Sequence, residues 1–221
     1  ELFYAGRRAP QEVAESFARV FAGHAPVRAA EVGTKPHPKP TQLRVITEEM
    51  DVTQGKLVIG LHTDILGTDP DYPALTLLNA VLGSGMTSKL FVNVREKRSL
   101  CYYASSAVER YKGIMQISSG IEFDKYETAK NAIFHELDEC RQGNITEAEL
   151  ESARRGVVSA LRSALDVPAR LDDYYLGNAV AGGDRVETLL EKISALTKDD
   201  LVRAAQRITP DTVYFLKGAQ A

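Results

Sequence analysis

Two runs of alternating residues, "LCYYASSAV" and "GIMQISSGI", flank the four residues "ERYK", and one later strand-like run, "DTVYFLKG", sits near the end of the chain. This placement constrains the fold more than any other feature. A period of two marks half-buried strands, and a short polar connection folds two of them into a hairpin. Residues 122–210 then separate the hairpin from the last strand, and their periodicity is helical. "FDKYETAKNAIFHELDECRQG" is amphipathic and stops at Gly143. "TEAELESARRGVVSALRSAL" opens with Thr-x-x-Glu, a capping box. Shorter helical segments follow around 168–181, 185–194 and 197–208. Strands, then helices, then one returning strand imply an α+β fold: an antiparallel or mixed β-sheet with helices packed on one face.

Upstream of the hairpin, "LRVITEE" and "GKLVIGLHTD" read as two further strands. "DPDYPALTLLNAVLG" reads as a capped helix with an apolar stripe through Leu75, Leu78 and Leu82 that stops at Gly83. "TSKLFVNVREKR" reads as a second, shorter helix. Residues 24–41 hold a proline-rich stretch without periodicity, which is the best boundary in the chain. Before it, "ELFYAG" reads as a strand, and Val13, Phe17, Val20 and Phe21 fall at helical spacing. "LFYAGR" and "VYFLKG" also echo each other. The expectation is a strand–helix tail of a preceding region at 1–23, a connection at 24–41 and one domain at 42–221, in a chain cut from something longer.

Composition excludes several function classes. The formal net charge is −3 among 26% charged residues, so a nucleic-acid partner, which needs a basic face, is not expected. The chain contains no run of 18 apolar residues, so no membrane span is expected. Two cysteines, Cys101 and Cys140, form no C-x-x-C pair and point to a reducing, cytoplasmic setting.

The residues of catalysis are sparse. The histidines are His24, His37, His62 and His135, and no two stand four apart, so neither H-E-x-x-H nor H-x-x-E-H is present. His135 and Glu136 are adjacent on an expected helix and so point about 100° apart. No metal site is therefore expected. No G-x-S-x-G occurs. Cys101 falls in an expected strand and reads as a small packing group, with a Cys–His dyad left open. "LGSGMTSKL" lacks the phosphate-loop spacing. Taken alone, Gly83 reads as a helix stop, Arg95, Lys97 and Arg98 as a solvated helix end, and Tyr102 as a strand residue under a helix. The sharper reading of the same stretch is a peptide-binding surface.

"LLNAVLGSGMTSKLFVNVREKRSLCYYASS" decides between them. It resembles the signature L-G-x-G-x-x-S-[RK]-L-F-x-x-[IV]-R-E-K-x-x-L-x-Y of the pitrilysin, insulinase and mitochondrial processing peptidase family of zinc metallopeptidases, many of them bacterial. Gly83, Gly85, Ser88, Leu90, Phe91, Arg95, Glu96, Lys97, Leu100 and Tyr102 match it. The familiar "G-L-A-Y" reads "S-L-C-Y" here. The resemblance implies two homologous α+β halves, fused or separate, that close around a peptide. It makes this chain the metal-free, C-terminal-type half, with zinc in the partner half. It implies that Arg95 and Tyr102 assist catalysis, and that Gly83, Ser84 and Gly85 join them in shaping the peptide-binding surface. A structural subunit without catalytic activity is the alternative within the same family.

Overall fold

The computed structural model describes residues 3–24 and 35–219. Five strands form one sheet: β1 (Arg44–Met50), β2 (Gly55–His62), β3 (Tyr103–Glu109), β4 (Ile114–Ile121) and β5 (Thr209–Gly218). Their spatial order is β1-β5-β2-β4-β3, with β1 parallel to β5 and every other pairing antiparallel. The sheet is therefore mixed. The last strand inserts between the first two, which the short connection at 51–54 can straddle because neighbouring strands lie only about 5 Å apart.

Strict alternation sets the two faces. Leu57, Ile59 and Leu61 of β2, Met115 and Ile117 of β4, and Val213 and Phe215 of β5 are buried. Their register partners across the ladder are one another, so they form one continuous apolar face. Lys56, Gln116, Ser105 and Tyr103 lie on the opposite face and reach solvent.

Helices cover the apolar face. The central one is α2 (Tyr72–Leu82), whose predicted stripe Leu75, Leu78 and Leu82 is fully buried. Asp71 precedes it without capping it; its carboxylate instead takes the Arg207 guanidinium at 2.8 Å. A single 3₁₀ turn (Phe123–Lys125) leads into α3 (Tyr126–Arg141). The predicted capping box opens α4 (Glu147–Leu165): Thr146 Oγ1 accepts from Glu149 N, and Glu149 Oε2 accepts from Thr146 N at 2.8 Å. Helices α5 (Pro168–Ala181), α6 (Val186–Ala195) and α7 (Lys198–Arg207) complete the layer. Arg154 of α4 donates to Ile193 O, Ser194 O and Leu196 O, satisfying carbonyls at the end of α6. No helix among the described residues is long and apolar enough to cross a membrane.

Three expectations need correction. The strand expected at 1–6 is absent from its described part: residues 3–8 are irregular, and the echo between the two ends of the chain has no structural counterpart. A strand needs a ladder partner, and among the described residues none pairs with this segment. Cys101 lies before β3 rather than in it. The helix expected at 87–98 is wound as a π-helix over Leu90–Lys97. α1 (Pro10–Phe21) is present and buries none of its residues; Phe17, Val20 and Phe21 are exposed. Of the connection expected at 24–41, residues 25–34 lie outside the described residues.

Ile59 is fully buried at the centre of the sheet, between Ile117 and Val213. Ile59→Ala should cost about 2–5 kcal/mol, read as a fall in the urea midpoint at unchanged slope. A loss under about 1 kcal/mol would mean that the central ladder is not the core described here.

Candidate functional site

The corner that follows α2 is built around one close approach. Gly83 ends the helix, and its carbonyl accepts a hydrogen bond from Ser106 N of β3 at 3.0 Å. A Cβ on Gly83 would stand 2.5 Å from Ser106 Oγ and 2.7 Å from Ser106 N. Only glycine lets helix and strand meet this closely. Gly83 is thus buried, whereas Ser84 and Gly85 are exposed and Gly85 has φ +119. Beyond them the chain is clamped to α4: Lys89, almost fully buried, pairs with Glu149 at 2.9 Å. The same ammonium and the cap at Thr146 hold the Glu149 carboxyl below its usual range, against the upward push of its burial.

The π-helix starts from this anchor. Its hydrogen bonds reach one residue further than those of an α-helix, a form common at functional sites. Buried Leu90 and Val94 face the core. Asn93 Nδ2 donates to buried Glu136 Oε2 of α3 at 2.8 Å. Glu136 points inward and its neighbour His135 outward, as their spacing requires.

Arg95 projects from the same helix towards β3. Its Nε donates to the Tyr102 carbonyl at 2.8 Å, and the Tyr102 N–H donates to Gly120 O of β4 at 2.8 Å. The backbone of Tyr102 is therefore held from both sides. Tyr102 is 57% exposed, so it is not packed under a helix. Arg95 also stacks over the Phe91 ring at 4.8 Å and donates to Glu96 Oε1 at 2.7 Å. These contacts use only part of its five-donor fork.

Arg95 and Tyr102 line one open hollow of about 330 Å³, with Glu96, Ser99, Leu100, Cys101, Glu122 and Lys125. Gly83, Ser84 and Gly85 do not line it. Glu122 and Lys125, paired at 3.0 Å, come from the end of β4 and the 3₁₀ turn, and nothing in their local sequence marked them. Burial pushes the Cys101 thiol up, and pushes Cys140 up to about 12, so both stay protonated and neither is an activated nucleophile. Among the described residues no group of three or more His, Cys, Asp or Glu side chains could hold a metal ion.

Comparison with known proteins gives this geometry its family. The profile of the peptidase M16 inactive domain matches residues 1–157. The chain belongs to the peptidase M16 family. It is 37% identical over 180 residues to the "Probable inactive metalloprotease YmfF" of Bacillus subtilis, covering 81% of this chain and 42% of that protein. It is 27% identical over 163 residues to an "Uncharacterized zinc protease" of Rickettsia bellii, covering 72% of this chain and 39% of the relative. A conserved protein from Enterococcus faecalis V583 superposes with a TM-score of 0.86 at 28% identity, over 97% of this chain and 51% of that one. An M16 inactive domain from Pseudomonas fluorescens shares the fold, with a TM-score of 0.79 at 18% identity over 96% of this chain and 52% of that one. The chain thus spans about half the length of these proteins or less. This M16 domain is the inactive-domain type of a zinc-protease family, with a mixed α+β fold.

The M16 signature explains one strained residue. Ser99 has φ +49, in the left-handed region, at the place where the familiar signature carries glycine. Ser99→Gly should leave stability unchanged or raise it by up to about 1 kcal/mol, and Ser99→Val should lower it by about 1–2 kcal/mol. Thermal unfolding of the two variants checks this; equal losses in both would mean that the backbone conformation is not what limits this position.

Proposed function

We propose that this domain is the metal-free half of a zinc-dependent metalloendopeptidase, working in trans to a zinc-bearing homologous half. The observation that carries the reading is the pairing of Arg95 with Tyr102. The guanidinium fixes the tyrosine backbone, and the tyrosine side chain stands free over an open hollow. In this reading the remaining Arg95 donors take main-chain carbonyls of an extended peptide. The Tyr102 hydroxyl donates a hydrogen bond to the oxyanion that forms as water adds to the scissile carbonyl, and a neutral donor does this without changing charge. The zinc of the partner half would supply the Lewis acid and the activated water. Ser84 and Gly85, exposed at the next corner, would border the peptide path, and Gly83 would hold that corner against β3. The exposed apolar face of α1 suits a contact with the zinc-bearing half, fused or separate. Two free thiols fit a cytoplasmic protein.

A structural subunit without activity is the second reading, favoured by the printed name of the Bacillus subtilis relative. One experiment separates the two. The full assembly, with its zinc half, is assayed on a quenched fluorescent peptide. Tyr102→Phe should lower kcat about a hundredfold with little change in KM. Equal turnover of variant and wild type would remove Tyr102 from the transition state. No cleavage by an intact, zinc-loaded wild-type assembly would establish the structural reading.

A further inference from the structure

The "ERYK" turn of the hairpin builds a second cavity, away from the Arg95 hollow. The strands exchange direction at residues 110–113, and Arg110 is half-buried there. A cavity of about 230 Å³ opens beside it, lined by Gly67, Tyr72, Thr76, Leu161, Tyr174, Gly183, Asp184 and Leu189 as well as Arg110. None of these residues lines the Arg95 hollow.

The site is built around the guanidinium. A Cβ on Gly67 would stand 3.2 Å from Arg110 Cδ, and one on Gly177 would stand 2.5 Å from Arg110 Nη2. Two glycines therefore leave the room that this side chain occupies. Its Nη1 donates to Asn178 Oδ1 at 2.9 Å and its Nη2 to the Tyr111 hydroxyl at 3.0 Å, while the guanidinium lies 4.9 Å from the Tyr111 ring centre. Asn178 is oriented in turn by its own donation to Asp184 O at 2.7 Å. All these partners are neutral. Among the described residues no carboxylate pairs with Arg110. The nearby Asp184 carboxylate is taken by Lys192 at 2.7 Å, and Glu109 accepts from Tyr111 N at 2.8 Å. A partly desolvated cation oriented only by neutral groups lacks its counter-charge, and a fork of parallel N–H donors fits a carboxylate.

We infer that this cavity binds a small organic anion: one carboxylate, held by Arg110, on a short apolar body lying between Leu161, Leu189 and the tyrosine rings. The Asp184 carboxylate on the rim is neutralised by Lys192, so Arg110 is left to balance a single negative charge, and the double charge of a phosphate is disfavoured. The volume limits the body to roughly the size of hexanoate or N-acetyl-leucine, below the range of drug-sized pockets, about 300–1,000 Å³.

Isothermal titration of the full-length protein tests this, with hexanoate as a free acid, N-acetyl-leucine as the end of a peptide, and the amide of each as a control. Saturable binding of one acid, with at least about tenfold weaker binding of its amide, is expected, and the preferred acid identifies the source. Arg110→Gln should lose the acid by about tenfold or more, and Arg110→Lys should lose less. The acid–amide comparison in wild type stands even if Arg110→Gln unfolds. Binding should survive Arg95→Ala whether or not the peptidase reading holds. No saturable binding, equal binding of acid and amide, or loss in Arg95→Ala with Arg110→Gln unaffected would overturn the proposal.

Discussion

Strand β5 is the constraint on which the rest of the structure depends. It is the sole ladder partner of β1 and one of two partners of β2. Without it β1 has no place in the sheet, and β2 becomes an edge with its apolar face half open. The approach to β5 is held accordingly. Arg141 of α3 donates to Ala205 O and Ile208 O, just before the strand begins. Tyr126, at the start of the same helix, stacks on Phe215 of β5 with ring centres 4.4 Å apart. Because β5 pairs with segments some 150 residues earlier, sheet closure has a high contact order.

The Arg95–Tyr102 corner lies on the other half of the sheet and depends on β5 indirectly. β2, fixed by β5, pairs with β4, and β4 pairs with β3. The Gly120 carbonyl of β4 holds the Tyr102 N–H. On the helical side, Gly83 presses α2 onto β3, and Lys89 ties the following loop to α4. The π-helix is strung between these two anchors. Its wider winding sends Arg95 back towards the strand that follows, so a residue seven positions upstream in sequence grips the backbone of Tyr102. Neither side chain alone defines the site. The guanidinium orders the tyrosine, and the sheet orders both.

The amount legible in the sequence follows from which interactions are local. The α2 stripe, the Thr146 cap and the hairpin are fixed by residues within a few positions of one another, and all three appear where their pattern places them. The strand expected at 1–6 failed because strand formation needs a partner that composition does not reveal. The π-helix was invisible because Leu90 and Val94, four apart, suit an α-turn and a wider turn alike. Arg95 and Tyr102 were singled out by the signature alone, and physics alone left them as a solvated helix end and a packed strand residue. Glu122 and Lys125 reach the same hollow through the β4 ladder, a contact between distant segments that no local pattern carries. The insertion of β5 between β1 and β2 was equally out of reach, since alternation gives faces and not strand order.

The charge balance of the hollow bears on what it recognises in the proposed function. Arg95 and Lys125 supply two cations, and Glu96 and Glu122 supply two carboxylates, each paired with its neighbour at 2.7 and 3.0 Å. These pairs are exposed and contribute little to stability. Their consequence is electrostatic: the hollow has no net charge to select acidic or basic side chains. Among the described residues, what remains unpaired is a set of hydrogen-bond donors on Arg95 and the hydroxyl of the exposed Tyr102. Such groups suit peptide carbonyls, which every residue of an extended chain presents in the same way. In the proposed function, a site of this composition would therefore discriminate by backbone geometry and by chain access, and would leave side-chain preference to surfaces outside it.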